Sequence, residues 1–142
     1  MTDTELFTRL LSIDFGTKRI GLALCDPLRT FAYPFKTVSN DDKIWSELLR
    51  IINEQAISKI ILGYPIKENG EPSSITKDVV RFKKNLEEKF KLEVILRDER
   101  YSSSLALDMI QQSVTKKSKR RDKGLIDQGA AAIILQDYLD GR

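Results

Sequence analysis

Apolar residues come in short dense runs near the start of the chain and in spaced stripes later, and the two spacings predict different elements. Leu10-Leu11-Ser12-Ile13 ends on Asp14, Phe15-Gly16-Thr17-Lys18 follows, and a second apolar stretch runs from Ile20 to Cys25. A β-rich run, a glycine that permits a tight reversal and a returning run predict a hairpin. Strands are expected over about 9–15, 19–26 and 31–38, and Pro34 makes the third an edge strand. Asn40-Asp41-Asp42 supplies N-cap candidates for a helix reaching about Gln55, with Ile44, Leu48, Ile51 and Ile52 on one face. Lys59-Ile60-Ile61-Leu62, stopped by Gly63 and Pro65, reads as a buried parallel strand. Ser73 or Ser74 can cap the next helix, in which Ile75, Val79, Phe82, Leu86 and Phe90 repeat at four and three. Leu92 to Leu96 is a strand ending in Arg97-Asp98-Glu99-Arg100. Ser102 to Ser104 can cap a short helix carrying Leu105, Met109 and Ile110, and a last helix spans about Lys123 to Leu139.

Three meandering strands followed by two strand-helix crossovers predict an α/β fold. The expected sheet is five-stranded and mixed, three antiparallel strands then two parallel ones, with helices on both faces. At 142 residues the chain is expected to form one domain over 1–142, large enough for a core that needs no staples. Hydrophobic residues at 41% and charged residues at 32% suit a soluble globular protein. The lone Cys25 excludes an internal disulfide and lies in an apolar run, which suits a buried thiol in a reducing compartment. Met1 to Glu5 lacks a signal-peptide pattern, and no apolar run nears the ~20 residues of a membrane span. A cytoplasmic location without a membrane partner is expected.

The chain contains no histidine, so any chemistry must run without imidazole. Asp14 stands out, because aspartate is a poor strand former and is rarely buried unpaired. In the predicted topology the first, fourth and fifth strands are parallel, and their ends share the edge where open α/β sheets bind ligands. Asp14, Gly63 to Pro65 and Asp98-Glu99 come to that edge. The second strand runs back, placing Arg19 near Asp14 and Asp26 on the far side. On the last helix Asp127 heads a stripe of Ala130, Ala131, Ile134 and Tyr138 that faces the sheet. An acid drawn to the helix dipole is the plain alternative. Asp122 fits the N-cap better, which leaves Asp127 as an inward carboxylate in need of a partner or a metal.

Asp14, Asp127 and an acid of the Asp98-Glu99 pair can thus converge. Alternation does not choose within that pair, since Leu92, Val94 and Leu96 share parity with Asp98. Oxygen ligands without His or Cys favour Mg²⁺ or Mn²⁺ over zinc, and two such ions suit phosphodiester hydrolysis. A Ser-His-Asp triad and a His-based zinc site are excluded. The net charge is +3, with Lys116, Lys117, Lys119, Arg120, Arg121 and Lys123 packed into eight positions. A solvated loop is the plain reading of such a run. With Lys18, Arg19 and Arg100, it also forms a set suited to a nucleic-acid backbone.

Four landmarks occur in order: Ile13-Asp14-Phe15-Gly16-Thr17-Lys18-Arg19-Ile20-Gly21; Ile61 to Pro65 with Gly70; Asp98 to Ser103; and Lys123 to Ala131. As a set they resemble the YqgF family, also called RuvX, the Holliday-junction-resolvase-like proteins of the RNase H-like superfamily. The resemblance runs from Leu11 to about Leu139, with Tyr64 standing where the family usually has Leu. It implies an RNase H-like fold and a cytoplasmic bacterial nuclease whose nucleic-acid partner is precursor rRNA, matured at the 5′ end of pre-16S rRNA. It also implies Asp14, Glu99 and Asp127 as the acidic, metal-holding triad, so the family pattern selects Glu99 over Asp98. Two other readings follow from the same residues: a Holliday-junction resolvase, which requires a dimer, and a non-catalytic RNA-binding ribosome-assembly factor. The Asp-Phe-Gly-Thr turn also resembles the phosphate hairpin of actin-like ATPases, but those use two such domains where 142 residues accommodate one.

Overall fold

The computed structural model describes residues 8–64, 76–98 and 123–141. Its strands are β1 (Arg9–Asp14), β2 (Arg19–Cys25), β3 (Ala32–Ser39), β4 (Ile57–Tyr64) and β5 (Glu93–Asp98). Its helices are α1 (Ile44–Glu54), α2 (Thr76–Phe90) and α3 (Lys123–Leu139). The sheet order is β3-β2-β1-β4-β5, antiparallel from β3 to β1 and parallel from β1 to β5. This is the expected mixed sheet, with β1 at its centre.

Strand alternation sends successive side chains to opposite faces, and each face gathers its own helices. Leu11, Ile13, Phe15, Ile20, Leu22, Leu24, Ile60 and Leu62 pack against Ile44, Leu48 and Ile51 of α1 and Val79, Phe82 and Leu86 of α2. On the other face Leu10, Cys25 and Ile61 meet Ile134 and Leu135 of α3. Because β4 is covered on both faces, Ile60, Ile61 and Leu62 are all fully buried, as its unbroken apolar run predicted. Burial of each such side chain contributes about 1.5–3 kcal/mol, so these layers fix β1 firmly and with it the position of Asp14.

The edge assignment of β3 holds. Pro34 pairs with Ala23 and Lys36 with Leu22, leaving Phe35 as an extra residue in a bulge. Phe35 and Val38 still pack onto the core. Cys25 is buried as expected; it accepts a hydrogen bond from the Leu10 N–H at 3.2 Å, and burial pushes its thiol pKa up.

The start of α1 differs from the expectation. Asn40 does not cap it, because its backbone N–H donates to the Lys18 carbonyl and its Nδ2 to the Gly16 carbonyl. Asp41 instead accepts the Lys43 N–H at 2.9 Å, and the helix starts after Lys43 with no side-chain cap. The two caps expected from Ser73 or Ser74 and from Asp122, and the short helix around Leu105, Met109 and Ile110, lie outside the described residues. Among the described residues no helix is long and apolar enough to cross a membrane.

Candidate functional site

Asp14 is the last residue of β1 and is half-buried. In the register it stands opposite Gly21 of β2 and Gly63 of β4, and Gly63 stands opposite Arg97 of β5. Gly21, Asp14, Gly63 and Arg97 therefore form one row across the parallel strand ends. Directly paired residues point to the same face. For Asp14 that is the face of Leu10 and Ser12, which α3 covers.

α3 meets this row at Gly21. A Cβ there would stand 2.1 Å from the Asp127 carbonyl oxygen and 2.3 Å from its carbonyl carbon, so only glycine fits. The Cα atoms of strand partners lie about 4.5–5.5 Å apart, so Gly21 acts as a thin spacer between Asp14 and the Asp127 backbone. Two residues earlier on the same face of β2, Arg19 Nε donates to Asp127 Oδ2 at 2.9 Å. The side chains are 40% and 23% exposed, so this pair sits at the rim of the site rather than in the core. One strand thus fixes the backbone of Asp127 through Gly21 and its carboxylate through Arg19. The inward stripe expected below Asp127 is present: Ala130, Ala131 and Ile134 are buried, and Tyr138 packs partly buried.

The predicted site residues divide accordingly. Asp14 and Asp127 come to one face at one edge. Arg19 is beside them, with its Nε paired to Asp127. Lys18 is exposed in the turn between β1 and β2. Lys123 opens α3, with its side chain outside the described residues. Glu99, Arg100, Lys116, Lys117, Lys119, Arg120 and Arg121 also lie outside them. Among the described residues no three metal-ligating side chains form a cluster. Asp26 is at the opposite edge, as expected, where its Oδ1 accepts the Phe31 and Thr30 N–H groups at 2.7 and 2.8 Å. Those bonds, Phe31 first, hold its pKa below the usual carboxylate value.

Arg97 was not singled out by its pattern. It shares the row of Asp14, and its guanidinium lies 5.9 Å from the ring centroid of Tyr138 on α3. The signal available was its parity: Ile95, two residues earlier, packs on the α3 side, while Val94 and Leu96 pack on the other.

A β3-β2-β1-β4-β5 sheet, antiparallel then parallel, with helices on both faces and β1 at its centre, is an RNase H-like fold. The fold agrees with two solved structures. The Fowlpox virus resolvase in complex with substrate Holliday junction DNA superposes with a TM-score of 0.60 at 14% identity, covering 94% of this chain and 98% of that one. T. thermophilus RuvC in complex with a Holliday junction substrate gives 0.56 at 15% identity, covering 95% of each. The chain belongs to the RuvX family, described as Holliday junction resolvase, whose model matches residues 8–141. Its relatives include proteins named "Putative pre-16S rRNA nuclease". The one from Chlorobaculum tepidum is 41% identical over 93% of both chains. The one from Maridesulfovibrio salexigens is 40% identical over 92% of this chain and 97% of its own.

Proposed function

We propose that this chain is a divalent-metal-dependent nuclease that hydrolyses phosphodiester bonds of RNA, acting in the cytoplasm in 5′-end processing of pre-16S rRNA. The observation that carries the chemistry is the joining of Asp14 and Asp127 through Gly21 on one sheet face. The relatives' names carry the choice of substrate.

The donor set fits Mg²⁺ or Mn²⁺: two carboxylates at a solvent-reached edge, with no imidazole or thiolate beside them. Asp14 would hold such an ion from β1. Asp127 would hold it through the carboxylate oxygen that Arg19 does not take. Glu99 is the third ligand, a choice that rests on the match of Asp98 to Ser103 to the family pattern. When bound, the ions supply an activated water and a stabilised leaving oxygen. The protein's own part is to hold the carboxylates at fixed spacing and to bring the backbone to them with cations. Lys18, Arg100 and the basic run from Lys116 to Lys123 serve the second purpose.

The test is a titration of Mg²⁺ and Mn²⁺ against precursor rRNA, single-stranded RNA and four-way DNA junctions, with Asp14→Asn as control. Metal-dependent RNA cleavage that disappears in Asp14→Asn is the expected result. Equal cleavage by the variant would refute the assignment. Cellular rRNA maturation that survives Asp14→Asn but not charge removal across 116–123 would favour a non-catalytic RNA-binding factor. The description of the family model favours a second reading, the junction resolvase. Paired symmetrical nicks in the junction, made in preference to RNA cleavage, would establish it.

A further inference from the structure

A cleft of ≈ 270 Å³ opens beside the turn between β1 and β2, on the sheet face opposite Asp127. One side is a stripe of α2, Asp78, Arg81, Phe82 and Asn85, whose spacing of three, four and seven places them on one helix face. The other side is Phe15 and Thr17 of the turn, with Asn40 behind them. The Phe15 and Phe82 rings meet at 5.1 Å between centroids and form the floor. Asn40 Nδ2 donates to the Gly16 carbonyl at 2.8 Å, which ties the Asn40 side chain to the turn at the cleft wall.

The chemistry of this lining selects among ligands. Asp78 and Arg81 give one charge of each sign, a poor site for a phosphate, which the Asp78 carboxylate would repel. A neutral planar group with donors and acceptors along one edge matches an acid, a guanidinium, an amide and a hydroxyl around two phenyl rings that expose only their margins. The volume is below the 300–1,000 Å³ or so of clefts that enclose drug-sized ligands, and suits a single ring system. The position matters as well. Thr17 is three residues from Asp14, at most about 10–11 Å along the chain, so a strand whose phosphate lies at Asp14 has neighbouring bases within reach.

We infer that this cleft takes an unpaired nucleobase of the substrate strand, adjacent to the phosphate held at the acidic edge. The inference rests on the nuclease reading for the identity of the strand. A base in the cleft cannot remain in a duplex, so the cleft selects substrates with an unpaired nucleotide beside the cleavage position. Asp78, Arg81 and Asn85 are then specificity residues and touch no reacting atom.

The test is equilibrium binding in EDTA of a fluorescently labelled single-stranded RNA and a set of copies with one abasic position each. Each is measured against the wild type, Asp78→Ala and Asn85→Ala, with circular dichroism to show that the variants fold. Neither residue belongs to the core. One abasic position is expected to weaken wild-type binding about tenfold, the scale of one base contact, and to cause no further loss in Asn85→Ala. No responsive position, or variants that lose affinity equally for intact and abasic RNA, would overturn the inference. Cleavage of the same RNAs with Mg²⁺ separates the two readings. Base-dependent binding without cleavage supports the cleft and refutes the nuclease, whereas cleavage without base dependence refutes the cleft alone.

Discussion

A methyl group at position 21 would meet the Asp127 carbonyl oxygen at 2.1 Å, so Gly21→Ala must push α3 away from β2. Overpacking of this kind costs about 1–3 kcal/mol. It should appear as a lower urea midpoint with an unchanged slope, together with weaker Mn²⁺ binding as Asp127 recedes from Asp14. Arg19 acts on the same acid from the side. Loss of a group that orients a metal ligand costs roughly ten- to a hundredfold in metal affinity. Arg19→Gln is therefore expected to bind Mn²⁺ at least about tenfold more weakly by calorimetry, with little change in stability, because the pair is partly exposed. Tighter binding by Arg19→Gln would mean that the guanidinium competes with the ion. The inward placement of Asp127 was legible from the Ala130, Ala131 and Ile134 stripe. Its bond to Arg19 was not, because 108 residues separate the partners and no local pattern records the contact.

At the scale of elements, periodicity located the buried faces of α1 and α2, and hydrogen-bond competition decided where α1 begins. Val79, Phe82 and Leu86 of α2 and Ile44, Leu48 and Ile51 of α1 are buried as their spacing required. Leu48 is fully buried between α1 and the sheet, so Leu48→Ala should lower stability by about 2–5 kcal/mol in urea unfolding. Asn40 looked like a cap but was already bonded to the hairpin turn, a tertiary use that local composition does not show. The connection from β2 to β3 carries a pH-dependent term. The Phe31 and Thr30 N–H groups depress the Asp26 pKa below its ordinary 3.8. A carboxylate lowered by folding contributes stability that is complete above the unfolded value and is lost as pH falls through the folded one. The stability difference between wild type and Asp26→Asn, measured by urea unfolding over a pH series, should thus hold near neutrality and shrink below pH 3.8. A difference that grows in acid would show that Asp26 acts otherwise.

For the whole molecule, the order of strands and crossovers was enough to place β1 centrally and to bring three strand ends to one edge, because connection rules leave few alternatives. The distribution of charge along the chain is a different matter. The sequence shows six basic residues between Lys116 and Lys123 and a net charge of only +3, and a run of this kind is either a phosphate-binding surface or a solvated loop. Salt dependence separates the two. Each phosphate contact on a single strand contributes about −0.7 to the slope of log K against log salt. If Lys116, Lys117 and Lys119 each contact a phosphate, replacing all three by Gln should reduce the slope by about 2. It should also weaken binding uniformly across RNA sequences, while thermal unfolding stays unchanged. Binding of a labelled RNA over a salt series in EDTA measures this without cleavage. An unchanged slope would assign the run to solvent and leave Lys18, Arg100 and the strand edge to hold the backbone. Because the cleft beside Phe15 reads a base, the charge-neutral Asn85→Ala should shift affinity at every salt concentration and leave the slope alone, so the same series distinguishes the two surfaces.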